Sequence, residues 1–387
     1  MPDRLSDLCK GRACMGINGG ENGMFVDYDH SIVSLSCSIL KHYGAEYHHK
    51  TFEPMDELLQ HPYKHVVIML FDGLGMEVLR RHLPENSFLR SHALGELSSV
   101  FPPTTTAATT SIESGLTPAE HGWLGWNLYF PELGDIVSLF PNTRRGTQEQ
   151  AAKFHAARQY LRYRTVYEKI EETGNTKAYV VSLYGSARIT KCEELFDTVK
   201  GLCRKEERNY IYAYWGEPDY TMHNVGCCHE SVTEIIRDID QRVERLCRDL
   251  EDTLLIVTAD HGHGDTGYFL IRDYPELDRM LERPPVIEAR AASFYVKQEY
   301  LAQFPDLFKR LFGDQFLLLS KDAVLRQNIF GGGVPHPRLP ELMGDYLAVA
   351  VSGMGINYED SDSKWISNHS GFTEREMEVP FIAVEKR

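Results

Sequence analysis

The sequence lacks long apolar runs and an excess of positive charge. No hydrophobic stretch reaches the roughly 20 residues of a membrane-spanning helix, and the first residues lack the apolar core of a signal peptide. Lys and Arg total 41 against 56 Asp and Glu, a formal net charge of −15. Because a nucleic-acid binder needs a basic surface, we expect a cytoplasmic protein that binds neither a membrane nor a nucleic-acid polymer.

Cysteines are few and irregularly spaced. The eight of them include no CxxC pair, which is the spacing typical of zinc sites and redox motifs. Cys227 and Cys228 are adjacent, and small side chains that fill space are the simpler interpretation of this pair. We therefore expect reduced thiols rather than a disulfide framework.

The sequence does contain a series of short apolar runs that each stop at a polar residue. These runs lie at residues 66–71, 178–181, 210–214 and 254–258. Their length and composition predict buried strands, and helical periodicity, clear at 229–250, occupies stretches between them. Strands that alternate with helices predict an α/β fold with a mostly parallel central sheet and helices on both faces.

Residues 267–345 interrupt this alternation with clusters of proline and glycine. A chain of 387 residues is too long for one minimal domain, and we expect this stretch to form a smaller inserted cap. Residues 61–266 and 346–387 would then form the core, with residues 1–60 as an N-terminal segment packed on it.

Acidic and histidine side chains follow the ends of the predicted strands. Asp72 and Asp260-His261 come directly after two of them, where open α/β sheets bind their ligands. Asp219 and His223 are four residues apart and would share one face of a helical turn. Oxygen and nitrogen donors together suit Zn²⁺, although each fragment alone could equally cap a helix.

Residues 101–111 are rich in hydroxyl and small side chains, and they indicate a different element of the site. Its prolines predict a turn into the amino terminus of a helix, where backbone N–H groups favour an anion. Thr104, Thr105 and Thr106 are candidate nucleophiles there, because coordination to a metal can activate a hydroxyl. The simpler interpretation is that these threonines only cap the helix.

The order of the segments resembles the type I phosphodiesterase/nucleotide pyrophosphatase family, a branch of the alkaline phosphatase superfamily. The resemblance covers residues 64–384 except 267–345, and it implies an alkaline-phosphatase-like fold. The segments that carry it are Phe71-Asp72-Gly73, Phe101-Pro102 with the threonines after it, Ser114-Gly115-Leu116-Thr117-Pro118, Glu217-Pro218-Asp219 with His223, Asp260-His261-Gly262 and Asn368-His369-Ser370.

The resemblance implies two divalent metal ions, with Zn²⁺ preferred and Mn²⁺ as the alternative. It also implies Thr105 as the nucleophile, by counting from the segments on both sides, with Thr104 and Thr106 left as alternatives. The implied ligands are Asp219, His223 and His369 for one ion, and Asp72, Asp260, His261 and Thr105 for the other.

Two further residues are candidates at the same site. Members of this family often hold a phosphate oxygen with an asparagine shortly after a His-Gly segment, which is His121-Gly122 in this sequence. Asn127 is the candidate here, one residue later than the expected spacing. His263 could orient a metal ligand from behind.

The activity that the resemblance implies is hydrolysis of a small phosphorylated substrate through a covalent phospho-threonine. We favour phosphodiesters or nucleotide pyrophosphates, because no arginine near Thr105 in sequence could neutralise the second charge of a monoester. A phosphomonoesterase, a phosphonate hydrolase, a phosphoglycerate-mutase-like enzyme and a silent metal-binding module are alternatives. The sequence carries no signal for an oligomeric state.

Overall fold

A computed structural model describes residues 26–359 and 365–387. Cys9, Cys14 and the first part of the predicted 1–60 segment lie outside these residues. Within the described chain the strands are β1 (His65–Phe71), β2 (Ala93–Ser98), β3 (Asn127–Phe130), β4 (Asp135–Ser138), β5 (Thr143–Arg144), β6 (Lys177–Ser182), β7 (Ala187–Arg188), β8 (Asn209–Trp215), β9 (Thr253–Thr258), β10 (Gly264–Asp265), β11 (Gly267–Leu270), β12 (Val286–Ile287), β13 (Ala291–Phe294), β14 (Phe316–Ser320), β15 (Tyr346–Ala350), β16 (Met354–Asn357), β17 (Ser367–Asn368) and β18 (Glu378–Lys386).

Helices connect most of these strands. The α-helices span Ile32–His42, Glu53–Leu58, Met76–His82, Phe88–Ser91, Thr105–Ser114, Pro118–His121, Ala156–Tyr160, Val166–Glu172, Cys192–Leu202, Asp219–Val225, Glu230–Asp249, Pro275–Asp278, Phe304–Phe312, Lys321–Arg326, Leu339–Leu342 and Glu374–Met377. Among the described residues, no helix combines the length and the apolar character needed to cross a membrane.

The central sheet has the strand order β2-β18-β9-β1-β8-β6-β7. β1 pairs in parallel with β8 and β9, β6 pairs in parallel with β7 and β8, and β18 runs antiparallel to its two neighbours. All residues of β1 and β9 are buried, as expected where helices cover both faces of a parallel sheet. The predicted α/β fold is confirmed.

Strand register brings the ends of three central strands to one level. Leu70 of β1 pairs with Tyr214 of β8 and with Thr258 of β9. Asp72 and Asp260 each come two residues after these paired positions, at the same edge of the sheet. The parallel register therefore places the two carboxylates side by side although they lie 188 positions apart in the sequence.

A second sheet, with the order β14-β15-β13-β12-β3-β4-β5, is antiparallel throughout. It combines strands of residues 127–144 with strands of residues 286–350 and packs on its own hydrophobic clusters. The sheet therefore extends beyond residues 267–345, and the division of the chain into a core and an inserted cap at these bounds stays a prediction.

The helix Ile32–His42 packs on the central layer. Its side chains are buried from Ile32 to Leu40, and the Ser36 hydroxyl donates to the Ile112 carbonyl at 2.9 Å. It thereby supports the helix Thr105–Ser114 from behind. None of the cysteines among the described residues forms a disulfide.

Candidate active site

Buried carboxylate and imidazole groups meet at the ends of the central strands in two groups that share Asp219. Within each group the donor atoms lie within 4.8 Å of one another. The imidazole-rich group consists of Asp219, His223, His263 and His369. The carboxylate-rich group consists of Asp72, Asp219 and His261, together with Asp260, whose Oδ2 lies 3.5 Å from His261 Nε2.

Asp219 is the centre of the imidazole-rich group. Its Oδ2 lies 3.4 Å from His223 Nε2, and its Oδ1 lies 3.8 Å from His369 Nε2. Asp219 and His223 both belong to the helix Asp219–Val225, so the predicted spacing of four residues does place them on one helical face.

His263 is the residue of this group that the sequence indicated least strongly. Its Nε2 lies 2.9 Å from Asp219 Oδ1. Because a carboxylate can only accept, this contact is suited to an Nε2–H donor that orients Asp219. The only feature of the sequence that indicated His263 was its position two residues after His261.

The carboxylate-rich group contains an oxygen without a partner. Asp260 Oδ1 accepts from the backbone N–H of Gly73 at 3.1 Å and of His261 at 3.0 Å. Asp260 Oδ2 is buried and has no hydrogen bond among the described residues. An unsatisfied buried polar group costs about 1–3 kcal/mol or more when charged, and a bound cation would remove that cost. The residues present therefore fit a divalent metal.

Three histidines present the same nitrogen to the site. In His223, His261 and His369, Nδ1 contacts a backbone carbonyl, which can only accept, so Nδ1 carries the proton and Nε2 keeps its lone pair. This is the arrangement that fixes a metal-binding imidazole. The respective acceptors are the carbonyl oxygens of Ser367 at 2.8 Å, Gly262 at 3.0 Å and Pro103 at 3.1 Å.

The three candidate threonines have different surroundings. Thr105 begins the helix Thr105–Ser114, and its Oγ1 lies 3.2 Å from His261 Nε2 and 3.5 Å from Asp72 Oδ1. The Thr104 hydroxyl instead donates to Glu288 at 2.6 Å, and the buried Thr106 hydroxyl has no partner within the described chain. Of the three, only the Thr105 hydroxyl lies against the atoms that could bind a metal.

Tyr214 is a residue of the site that the sequence did not single out. Its hydroxyl donates to Asp72 Oδ2, so the other oxygen, Oδ1, is the one near Thr105 and His261. The run of alternate tyrosines along β8 was visible in the sequence. No local feature of the sequence showed which of these tyrosines would face the end of a neighbouring strand.

Close backbone packing joins the two groups. The Asp219 N–H donates to the Asp72 carbonyl at 3.0 Å. Between them Gly73 has a φ of +72°, and a Cβ on Gly73 would lie 2.9 Å from the Cβ of Asp219. A larger residue at position 73 would therefore both strain the backbone and push the shared ligand away.

A buried ion pair holds the loops that carry His261 and His369. Arg290, fully buried, donates to both oxygens of Glu376 at 2.6 and 2.7 Å. Glu376 in turn accepts from the Gly371 N–H at 2.8 Å, and its carbonyl accepts from the Gly262 N–H at 2.8 Å. The pair thus ties the second sheet to the loops that carry His261 and His369.

The electrostatics of the site favour a cation. Burial and the neighbouring Asp260 and Asp219 raise the pKa of Asp72 well above its usual value, and burial raises the pKa of Asp260 to about 7. Burial alone would raise the pKa of Asp219, but the nearby His223 and His263 outweigh burial and lower this pKa. A bound metal ion would offset the cost of ionising these buried carboxyls, and it would bind the imidazoles in their neutral form.

Asn127 lies outside both groups. It begins β3, pairs with Ile287, and its Oδ1 accepts from the Ser138 hydroxyl at 2.8 Å. The neighbouring Trp126 N–H donates to the same Glu288 oxygen that accepts from Thr104. Asn127 is therefore close to this edge of the site, and its role in binding phosphate stays a prediction.

The fold and these donor groups define a metal-dependent phosphoryl hydrolase. The sequence model of the family described as Type I phosphodiesterase / nucleotide pyrophosphatase matches residues 66–372. The protein belongs to this family, and the family prediction is confirmed.

Solved structures at low sequence identity share the fold. Murine ectonucleotide pyrophosphatase/phosphodiesterase 5, an inactive variant in complex with AMP, has a TM-score of 0.63 at 19% identity, covering 82% of this chain and 87% of that chain. For the human protein the TM-score is 0.60 at 19% identity, with 82% and 87% coverage. Phosphonoacetate hydrolase from Sinorhizobium meliloti 1021 with phosphonoformate has a TM-score of 0.61 at 18% identity, with 82% and 89% coverage. The alkaline-phosphatase-like fold is therefore confirmed.

Proposed function

We propose that this protein hydrolyses phosphodiesters or nucleotide pyrophosphates, with Thr105 as the nucleophile at a site for two divalent cations. The observation that supports this best is the contact of Thr105 Oγ1 with His261 Nε2 and Asp72 Oδ1, at 3.2 and 3.5 Å. Family membership supports the reaction class. The murine relative, which binds AMP, is described as inactive in a threonine-to-alanine variant.

Zn²⁺, with Mn²⁺ as the alternative, would be held by Asp219, His223 and His369 in one position. Asp72, Asp260, His261 and Thr105 would hold the second ion. When bound, these ions supply the positive charge that lowers the pKa of a hydroxyl and stabilises the developing charge on phosphate oxygens.

The chain's own groups would act in two displacements. Thr105 Oγ releases its proton to solvent and attacks phosphorus, and the bond from phosphorus to the leaving oxygen breaks, with the electron pair leaving on that oxygen. Water then attacks the phospho-threonine, and cleavage of its P–O bond restores the hydroxyl. The amino terminus of the helix Thr105–Ser114 favours the negative charge of the bound phosphoryl group.

Phosphonate hydrolysis is the second candidate. The likeness to phosphonoacetate hydrolase, with a TM-score of 0.61, is nearly equal to the likeness to the murine phosphodiesterase, with 0.63. One fold therefore supports both reactions, and substrate chemistry has to separate them.

A substrate panel tests the proposal. Protein loaded with zinc or manganese should cleave bis-p-nitrophenyl phosphate and a nucleotide p-nitrophenyl ester faster than p-nitrophenyl phosphate or phosphonoacetate. Thr105→Ala should lower kcat by at least about 1,000-fold, because no neighbouring hydroxyl can replace the nucleophile. Acid-quenched protein should carry the phosphoryl group with its remaining ester substituent, p-nitrophenyl or nucleoside, on the peptide that contains Thr105.

Thr110→Ala is the matched control, since Thr110 is a buried threonine of the same helix that contacts none of the metal-binding atoms. It should retain wild-type rates. Undiminished turnover by Thr105→Ala would exclude the proposed nucleophile, and fastest turnover of phosphonoacetate would favour the second candidate.

A further inference from the structure

A carboxyl group from the second sheet lies beside the amino terminus of the nucleophile helix. Glu288 follows β12 directly. Its Oε1 accepts from the Thr104 hydroxyl at 2.6 Å and from the Trp126 N–H at 2.8 Å. Thr104 precedes the proposed nucleophile, so Glu288 connects the second sheet to the first turn of that helix.

The backbone before Glu288 adopts an unusual conformation. Ile287 has a φ of +77°, a region that β-branched residues rarely occupy. Gly125 lies directly against it, since a Cβ on Gly125 would be 2.8 Å from the Ile287 carbonyl oxygen. Strained backbone of this kind concentrates at functional sites, and here it accompanies the turn of Glu288 towards Thr104.

The second oxygen of Glu288 has no protein partner. Among the described residues no hydrogen bond reaches Oε2, and the side chain is half-buried rather than enclosed. Burial raises the pKa of Glu288 to about 7, and the charges of His261 and Asp219 also act on it. The carboxyl group therefore lies within the electrostatic field of both donor groups while one of its oxygens stays available.

A count of charges suggests what this carboxyl does. Asp72, Asp219 and Asp260 contribute three negative charges, against four positive charges from two divalent cations. The remaining positive charge is matched by Glu288 once it is ionised. A phosphodiester brings one negative charge to such a site, whereas a phosphate monoester brings two, and the second would be repelled by a carboxylate in a partly buried environment.

We propose that Glu288 is a specificity-determining residue that disfavours dianionic phosphate monoesters and so selects monoanionic phosphodiesters. This inference rests on the proposed function, because it assigns a substrate preference to that same site. It requires no new step of chemistry. Glu288 acts through its charge on the bound phosphoryl group.

Glu288→Gln is the variant that tests the inference. The amide oxygen can still accept from Thr104 and Trp126, so the change removes the charge and preserves these contacts. Zinc-loaded wild type and variant are compared at about pH 8.5, where inorganic phosphate is dianionic and dimethyl phosphate is monoanionic. Calorimetry measures binding of both anions, and kcat/KM is measured for p-nitrophenyl phosphate and bis-p-nitrophenyl phosphate.

We expect the affinity for phosphate relative to dimethyl phosphate to rise about tenfold in the variant, because one like charge at close range is removed. The monoester-to-diester ratio of kcat/KM should rise similarly. A merely structural role would lower both affinities together and leave their ratio unchanged. Unchanged ratios in a variant with wild-type thermal unfolding would overturn the inference.

Glu113→Gln provides the matched control. Glu113 is a half-buried carboxyl on the helix Thr105–Ser114, about 12 Å along the helix axis from Thr105. Burial likewise raises the pKa of Glu113 to about 7. Its replacement should not change the ratio of the two anion affinities.

The ratio of binding affinities can be measured without turnover. A shifted ratio in a protein that hydrolyses no ester would thus count against the proposed function and leave the role of Glu288 standing.

Discussion

The two donor groups differ in the charge of their ligands. The imidazole-rich group surrounds Asp219 with His223, His263 and His369, while the carboxylate-rich group has Asp72 and Asp260 around His261. Burial acts against the charged form in both. In the first group it keeps imidazoles neutral and ready to bind, whereas in the second it favours protonated carboxyls that must lose a proton before binding. The two groups share one carboxylate, and this difference predicts that they respond differently to pH.

The shared carboxylate provides the largest expected effect. Asp219→Asn removes a proposed ligand of one cation and a negative charge that lies within 4.8 Å of the ligand atoms of Asp72 and His261. Both cations should therefore bind more weakly, and activity should fall more than about 100-fold, beyond the upper range for residues that only orient a ligand. Asp260→Asn should weaken the cation of the carboxylate-rich group and leave the other. Metal content after dialysis, measured by elemental analysis, distinguishes these outcomes.

Equal loss of both ions from the two variants would contradict the division into two groups. Asp240→Asn is a suitable control for the chemical change itself. Asp240 is a buried carboxylate that accepts from the Leu89 N–H at 2.7 Å, far from the donor groups in the helix Glu230–Asp249. It should lower thermal stability without altering metal content.

The ligand pairs of this comparison were partly readable from the sequence. A spacing of four residues placed Asp219 and His223 on one helical face, and Asp72 and Asp260 followed strands whose parallel register set them at one edge. Local pattern sufficed for these residues because helix periodicity and strand ends are local properties. Their assignment as ligands also needed the order of motifs along the whole chain, and it stays a prediction until metal is measured.

The residues that the sequence did not reveal depend on long-range pairing. Tyr214 reaches Asp72 only because β8 lies beside β1, and Glu288 reaches Thr104 only because β12 pairs with β3. The second sheet is built from strands of two to five residues from separate parts of the chain. Strands this short carry too little periodicity to predict their partners, which is why the cap was expected in residues 267–345 alone.

A smaller effect should follow from acidity, because protons compete with cations for the ligands. The pKa of Asp260 is raised to about 7, so the affinity of the carboxylate-rich group for its cation should fall progressively below about pH 7. Burial lowers the pKa of His223 to about 4, and the pKa of Asp219 is lowered. The imidazole-rich group should therefore hold its cation to a lower pH, nearer the value of about 4 at which His223 gains a proton. Stepwise dialysis with elemental analysis would show two separate losses, and a single joint loss would contradict the difference between the groups.

The smallest expected effect concerns the tyrosine behind Asp72. Tyr214→Phe removes the hydroxyl that donates to Asp72 Oδ2 and should weaken the cation of the carboxylate-rich group about tenfold, the lower range for a residue that orients a ligand. Tyr212→Phe is the control, because the buried Tyr212 hydroxyl on the same strand has no partner among the described residues. Competition with a chelating dye gives both affinities. If Tyr214→Phe weakened both cations equally, or Tyr212→Phe had the same effect, the hydroxyl would act on the stability of the central sheet rather than on the orientation of Asp72.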